Sequence, residues 1–164
     1  MAIMTIKRPK YAAAMTLVEV MGAILILAVA VIGASAYRYH SALDARKADE
    51  MAAATRITLL LCENWRGISG DETFNPEDYW GQDLPVIEVS SEGPDVPPGF
   101  TTAGNYTVEI NNVFYYVTMS WKDLYAGLRV LNVAVAWNQN GSGSGSTDFA
   151  DAEKSFRLTT YVAN

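Results

Sequence analysis

A single acid, Glu19, stands at the head of an apolar run, and Val20 to Tyr37 carries no charge. An ionised carboxylate inside hydrocarbon costs roughly 2.5–3.5 kcal/mol on insertion scales, so it persists where a partner meets it. Ion pairing is the chemistry this placement suggests for Glu19. The other reactive side chains are scattered. His40 and Cys62 are each the sole residue of their kind. On a continuous helix they stand about 33 Å apart, too far for a nucleophile–base dyad. His40 reads as an interfacial residue and Cys62 as a small buried apolar one. The sequence has no zinc-ligand cluster. Asn138, Asn140, Asp148, Asp151 and Glu153 offer oxygens to a Ca²⁺ ion but lack EF-hand spacing, and read as a solvated loop. No catalytic residue, cofactor or metal is expected, and the chain reads as non-enzymatic.

The elements around Glu19 give it a setting. Residues 1–14 hold Lys7, Arg8 and Lys10 and no acid, and end in Ala12-Ala13-Ala14. A secretory signal places its small-residue cut site after the apolar core. Here small residues precede the run, so the chain keeps its greasy helix. The basic flank should stay cytoplasmic. Met15 to Ala36 gives 22 residues, about 33 Å as a helix, enough to span the hydrocarbon core. The C-terminal part should then lie outside the cytoplasm. A competing cut exists at Gly33-Ala34-Ser35-Ala36, which would release a soluble secreted domain. The stretch before that core would be unusually long, and Glu19 abuts it.

The residues Met15-Thr16-Leu17-Val18-Glu19-Val20 resemble the processing motif of type IV pilins and pseudopilins: a small residue, an apolar one, Thr, Leu, any residue, then Glu. The usual Gly before the cut is Ala14 here, and the usual Phe after it is Met15; both replacements keep the small and apolar character. The resemblance implies cleavage by a prepilin peptidase between Ala14 and Met15, and N-methylation of Met15. It also implies an assembly role for Thr16, Leu17 and Glu19. The new α-amine at Met15 would lie about 6 Å along the helix from Glu19. In a helical stack, the amine of an incoming subunit could pair with Glu19 of its neighbour. The bland alternative is a carboxylate near the membrane surface.

Beyond the span, no proline or strong turn cluster interrupts the chain from Met15 to Arg66, and Gly67 should stop the helix. Residues 15–37 should form the membrane or filament-core helix, and 38–67 its amphipathic continuation. Asp44 with Lys47, and Arg46 with Asp49 and Glu50, sit at helix-supporting spacings. Ile57, Leu60, Leu61 and Trp65 should line the face that packs on a sheet. Residues 68–104 read as an acidic, proline-rich connection, with Val86 to Val89 as a short edge strand. Phe74, Tyr79 and Trp80 should pin it to the head. From 105 on the pattern is an antiparallel sheet. Tyr106–Ile110 and Val113–Trp121 flank a tight Asn111-Asn112 turn. Lys122–Gly127 connects to Val130–Trp137, Asn138–Thr147 is a flexible Gly/Ser loop, and Ser155–Val162 closes the sheet. The fold class is α+β: a long N-terminal helix whose second half packs on a small antiparallel sheet.

Charge and cysteine usage narrow the function. The 164 residues include 18 acids and 12 bases; removing the leader takes three bases and no acid, lowering the net charge from −6 to −9. That acidity argues against direct nucleic-acid binding. Cys62 alone excludes an intrachain disulfide, which tilts the resemblance towards minor pilins and pseudopilins. Val117–Trp121, Leu131–Trp137 and Leu158–Ala163 are similar to the strands of minor pilins of the type IV pilus modification group and minor pseudopilins of type II secretion. The resemblance implies a structural subunit of a pilus-like filament, first in the bacterial inner membrane with its head in the periplasm. The partners it implies are prepilin peptidase, sister subunits, an inner-membrane assembly platform and, before assembly, lipid. The runner-up is a membrane-anchored periplasmic binding module that never assembles.

Overall fold

A computed structural model of the chain describes residues 16–80, 86–89, 92–138 and 149–163. Their order is helix α1 (Leu17–Gly67), helix α2 (Pro76–Trp80), strands β1 (Val86–Val89), β2 (Thr101–Ile110), β3 (Val113–Tyr125) and β4 (Leu128–Trp137), a 3-10 turn at Phe149–Asp151, and β5 (Lys154–Ala163). This is the expected α+β arrangement. Contacts divide the chain into two units, Met1–Asp44 and Ala45–Asn164.

In the first unit α1 stands without a tertiary partner among the described residues. Its side chains from Leu17 to Asp44 are exposed. The stretch is long and apolar enough to cross a membrane, and none of its most apolar window is buried in protein. Ser35, a hydroxyl within it, donates to the Val31 carbonyl at 2.8 Å and so satisfies itself inside the helix.

The second unit is built on the rest of α1. Glu50, Ala54, Ile57, Thr58, Leu61, Cys62 and Trp65 are buried, at the three- and four-residue steps of one helical face. Leu60, expected on that face, is 45% exposed; Thr58 takes the place, its hydroxyl satisfied by the Ala54 carbonyl at 2.7 Å. The helix ends at Gly67, the expected boundary. The positive-φ positions that reverse the chain are Ser69, at φ 60°, and Gly70, at φ 69°. The Gly70 N–H donates to the Trp65 carbonyl at 2.9 Å and the Ser69 N–H to that of Arg66 at 3.0 Å, a Schellman ending with serine in the left-handed position.

The five strands form an antiparallel meander in the order β1-β2-β3-β4-β5. Ile110 pairs with Val113 across Asn111 and Asn112, at φ 53° and 63°, the positive pair a two-residue hairpin demands. The next hairpin is tighter than expected. Lys122 to Tyr125 belongs to β3, and Tyr125 pairs with Leu128 across Ala126-Gly127, with Gly127 at φ 90°. The added ladder is worth forming because Asp123 comes opposite Arg129. β2 likewise starts earlier than expected, at Thr101, and β5 runs one residue further at each end, Lys154–Ala163. The Gly/Ser-rich segment, apart from Asn138, lies outside the described residues.

One sheet face supplies Tyr115, Val117, Met119, Leu131, Val133, Val135 and Trp137 to the core against Ile57, Leu61 and Trp65 of α1. Phe74 is buried and stacks on Trp65, ring centroids 6.2 Å apart, with Tyr79 at 5.2 Å from Phe74. The connection is thus pinned, as its aromatics suggested; the Trp80 side chain lies outside the described ones. The opposite face is buried too. Tyr116, Thr118, Ser120, Asn132 and Ala134 are all at most 4% exposed. Part of its cover is the proline-rich segment 92–100. A Cβ at Gly93 would collide with Thr118 Oγ1, and Arg157 Nη2 donates to the Asp95 carbonyl at 2.7 Å. Phe149 sits edge-on to Tyr116 at 5.7 Å.

Candidate functional site

Glu19 lies in the first turn of α1, and Thr16 immediately precedes the helix. The Thr16 N–H donates to Glu19 Oε2 at 2.9 Å, and its hydroxyl donates to the same oxygen at 3.1 Å. In return the Glu19 N–H donates to Thr16 Oγ1 at 3.3 Å. This is a reciprocal capping box, which satisfies backbone donors left over at a helix start. Its Thr-x-x-Glu spelling is legible in Thr16 to Glu19, the same residues that carry the resemblance to a processing motif. Both bonds to the carboxylate end on Oε2; Oε1 takes part in neither. A carboxylate at a helix start is also favoured by the helix dipole. Leu17, the first helical residue, is 76% exposed. Ala14 and Met15 lie outside the described residues.

The surface that follows is continuous apolar helix: Val18, Met21, Ile24, Leu25, Ile26 and Leu27 are each more than 60% exposed. Such a surface needs lipid or other apolar helices around it.

The second unit holds two polar clusters; the Arg46–Glu50 spacing is legible in the sequence, the grouping around Arg129 is not. Arg129 is 4% exposed. It gives Nε and Nη2 to the two Asp123 oxygens at 2.7 and 3.0 Å, Nη2 also to Glu72 at 2.9 Å, and Nη1 to the Gly70 carbonyl at 2.9 Å. Its guanidinium also lies 4.0 Å over the Trp121 ring. Hydrogen bonding from Arg129 holds the Asp123 carboxyl below the usual range, while the Thr73 backbone and side-chain donors do the same for Asp71. The cluster clasps the exit of α1 to the β3–β4 hairpin, and its cation is fully engaged. The second is Glu50, 5% exposed, whose Oε1 accepts from Arg46 at 3.0 Å while Oε2 has no hydrogen-bond partner. The Tyr115 hydroxyl donates to the Glu50 carbonyl at 3.4 Å, and burial with the nearby Glu50 charge pushes its pKa up to about 12.

The remaining reactive residues do not converge. His40 is exposed, its ring edge-on to Tyr39 at 5.8 Å. Cys62 is buried, and desolvation pushes its thiol up to about 11, so it stays neutral and unreactive. No group of His, Cys, Asp and Glu among the described residues is placed to hold a metal; Asn140 and Asp148 lie outside them. Neither a protein-family model, nor a curated protein, nor a solved structure matches the chain.

Proposed function

We propose that the chain is a non-enzymatic structural subunit, a minor pilin or pseudopilin, of a type IV pilus-like filament. The observation that carries this reading is an exposed apolar helix opening on a single capped carboxylate. Lipid and a bundle of sister helices are equally good surroundings for that surface, so one helix serves both before and after assembly. Prepilin peptidase would cut after Ala14 on the cytoplasmic side and leave methylated Met15 as the new terminus. The capping box is compatible with pairing between subunits. Thr16 occupies Oε2, so a neighbour's α-amine can approach Oε1 without uncapping the helix, and the pair satisfies a charge that hydrocarbon penalises. The head, residues 68–164 with the end of α1, would face the periplasm or the filament surface and contact sister subunits.

The deciding measurement is the intact mass and N-terminal sequence of the mature protein from its native membrane. A chain beginning at methylated Met15 supports prepilin processing. A start at Met1 supports a plain membrane anchor, and a start at Tyr37 a secreted domain; either sinks the pilin reading.

A further inference from the structure

β5 is a long sheet edge whose charges are two cations, Lys154 and Arg157. It is ten residues long and contains no proline. It pairs with β4 from Leu128–Ala163 to Trp137–Lys154 with no register shift, whereas the β1–β2, β2–β3 and β3–β4 ladders each carry one. Among the described residues, no turn or loop backbone group bonds to its main chain; the one loop carbonyl that reaches it, that of Asp95, is held by the Arg157 side chain. A long, regular edge of this kind is a template for another strand. Its side chains also stop short of full burial: Phe156 and Leu158 pack on the core yet are only partly buried, and Tyr161 is 59% exposed.

We propose that β5 pairs antiparallel with β5 of a second copy of this chain, about a two-fold axis at Thr159. Residues directly opposite in an antiparallel pair share a sheet face. Centred on Thr159, the register sets Phe156 against Val162 and Leu158 against Thr160 on the core side. On the other side it sets Arg157 against Tyr161. No like charges meet, and a cation faces an aromatic ring. Shifting the centre to Arg157 would oppose two guanidiniums. Length also selects this occupant. The other edge, β1, spans only Val86–Val89 with an irregular register, and would leave most of a ten-residue strand unpaired; a second β5 pairs with residues 155–163 of it. An isologous pair closes on itself, so it does not propagate into a filament. It is a dimer of heads formed apart from filament growth, and it does not depend on processing at Ala14.

Cysteine cross-linking of the full chain in detergent micelles tests this. Opposed Cα atoms in an antiparallel pair lie about 4.5–5.5 Å apart, within disulfide range. Thr159→Cys should therefore give a covalent dimer on mild oxidation. Thr160→Cys should not, because its own copy is a diagonal neighbour. The unsubstituted chain, with Cys62 buried, should stay uncross-linked. Independently, size measurement should show a dimer that Tyr161→Lys, placing a cation against Arg157, abolishes, and that Tyr161→Glu retains. Three results would each overturn the proposal: equal cross-linking of the Thr159→Cys and Thr160→Cys chains, equal behaviour of the two Tyr161 variants, or a Thr159→Cys chain that cross-links only to a Glu88→Cys chain through β1.

Discussion

Arg129 and Asp123 face each other across the β3–β4 hairpin and share two hydrogen bonds, at 2.7 and 3.0 Å. Because the guanidinium is buried and the carboxylate is near solvent, the two ends of the pair respond differently to change. Arg129→Met frees two acids that water can take back, but strips the Gly70 carbonyl of its donor. A loss of about 2 kcal/mol is expected, since hydrogen bonds to charged groups contribute about 1.5–3 kcal/mol, read as a lowered midpoint in denaturant unfolding. Arg129→Lys should recover little, as an ammonium cannot reproduce the fork or the stacking on Trp121.

The same pair sets an acid limb. Arg129 holds the folded-state pKa of Asp123 below its ordinary value. Above the ordinary carboxylate range, about 4, both folded and unfolded chains are ionised and the stabilisation is complete. As pH falls below that value the unfolded chain binds the proton first, and the advantage is gone once the folded carboxyl is protonated as well. Asp123→Asn should lower stability at neutral pH and flatten the decline on the acid side. An unchanged acid limb in that variant would contradict the assignment.

Gly93 admits no side chain, because a Cβ would strike Thr118 Oγ1 and come within 3.1 Å of Asn105 Oδ1. Those two side chains are themselves hydrogen-bonded at 2.9 Å. Gly93→Ala should cost about 1–3 kcal/mol, the usual range for overpacking. Thr118→Ala opens the space, so the double variant should be more stable than the sum of the single losses implies. Thermal unfolding of the four chains measures this coupling directly.

Cys62 reports unfolding. With its thiol buried and pushed up to about 11, it should resist alkylation at neutral pH in the native chain and react fully in denaturant. Labelling that is equally fast under both conditions would place Cys62 outside the core.

Glu19→Gln separates capping from charge. Glutamine can serve at this position of a capping box, so the helix start should survive, as judged by circular dichroism in micelles. The amide cannot ion-pair with an amine, so incorporation into filaments should fail if Glu19 acts by its charge. Normal incorporation would leave the cap as its whole contribution.

Much of this protein is readable one segment at a time, because the relevant signals are local. An apolar run this long and free of proline favours a helix over a strand, and Asn111-Asn112 closes a hairpin because both residues tolerate positive φ. Val86–Val89 shows as a strand from its own composition. Thr16 and Glu19 are both legible, and their spacing alone permits the capping box.

Tertiary structure decided which surfaces are covered and which charges meet. Leu60 and Thr58 are both compatible with a helical face, but contact with the sheet selected the threonine, whose hydroxyl the helix itself could satisfy. Ser120, Asn132 and Thr118 alternate with core residues, an alternation that leaves open what their face meets; they are buried on a sheet face that segment 92–100 partly covers. Asn132 is consequently hydrogen-bonded to Ser120 at 3.0 Å and to Thr159 at 3.2 Å. Arg129 carries no signal in its own neighbourhood, and only folding brought Asp123, Glu72 and the Gly70 carbonyl around it. Periodicity specifies that a residue lies on a given face of its own element; only chain segments far apart in sequence determine what that face meets.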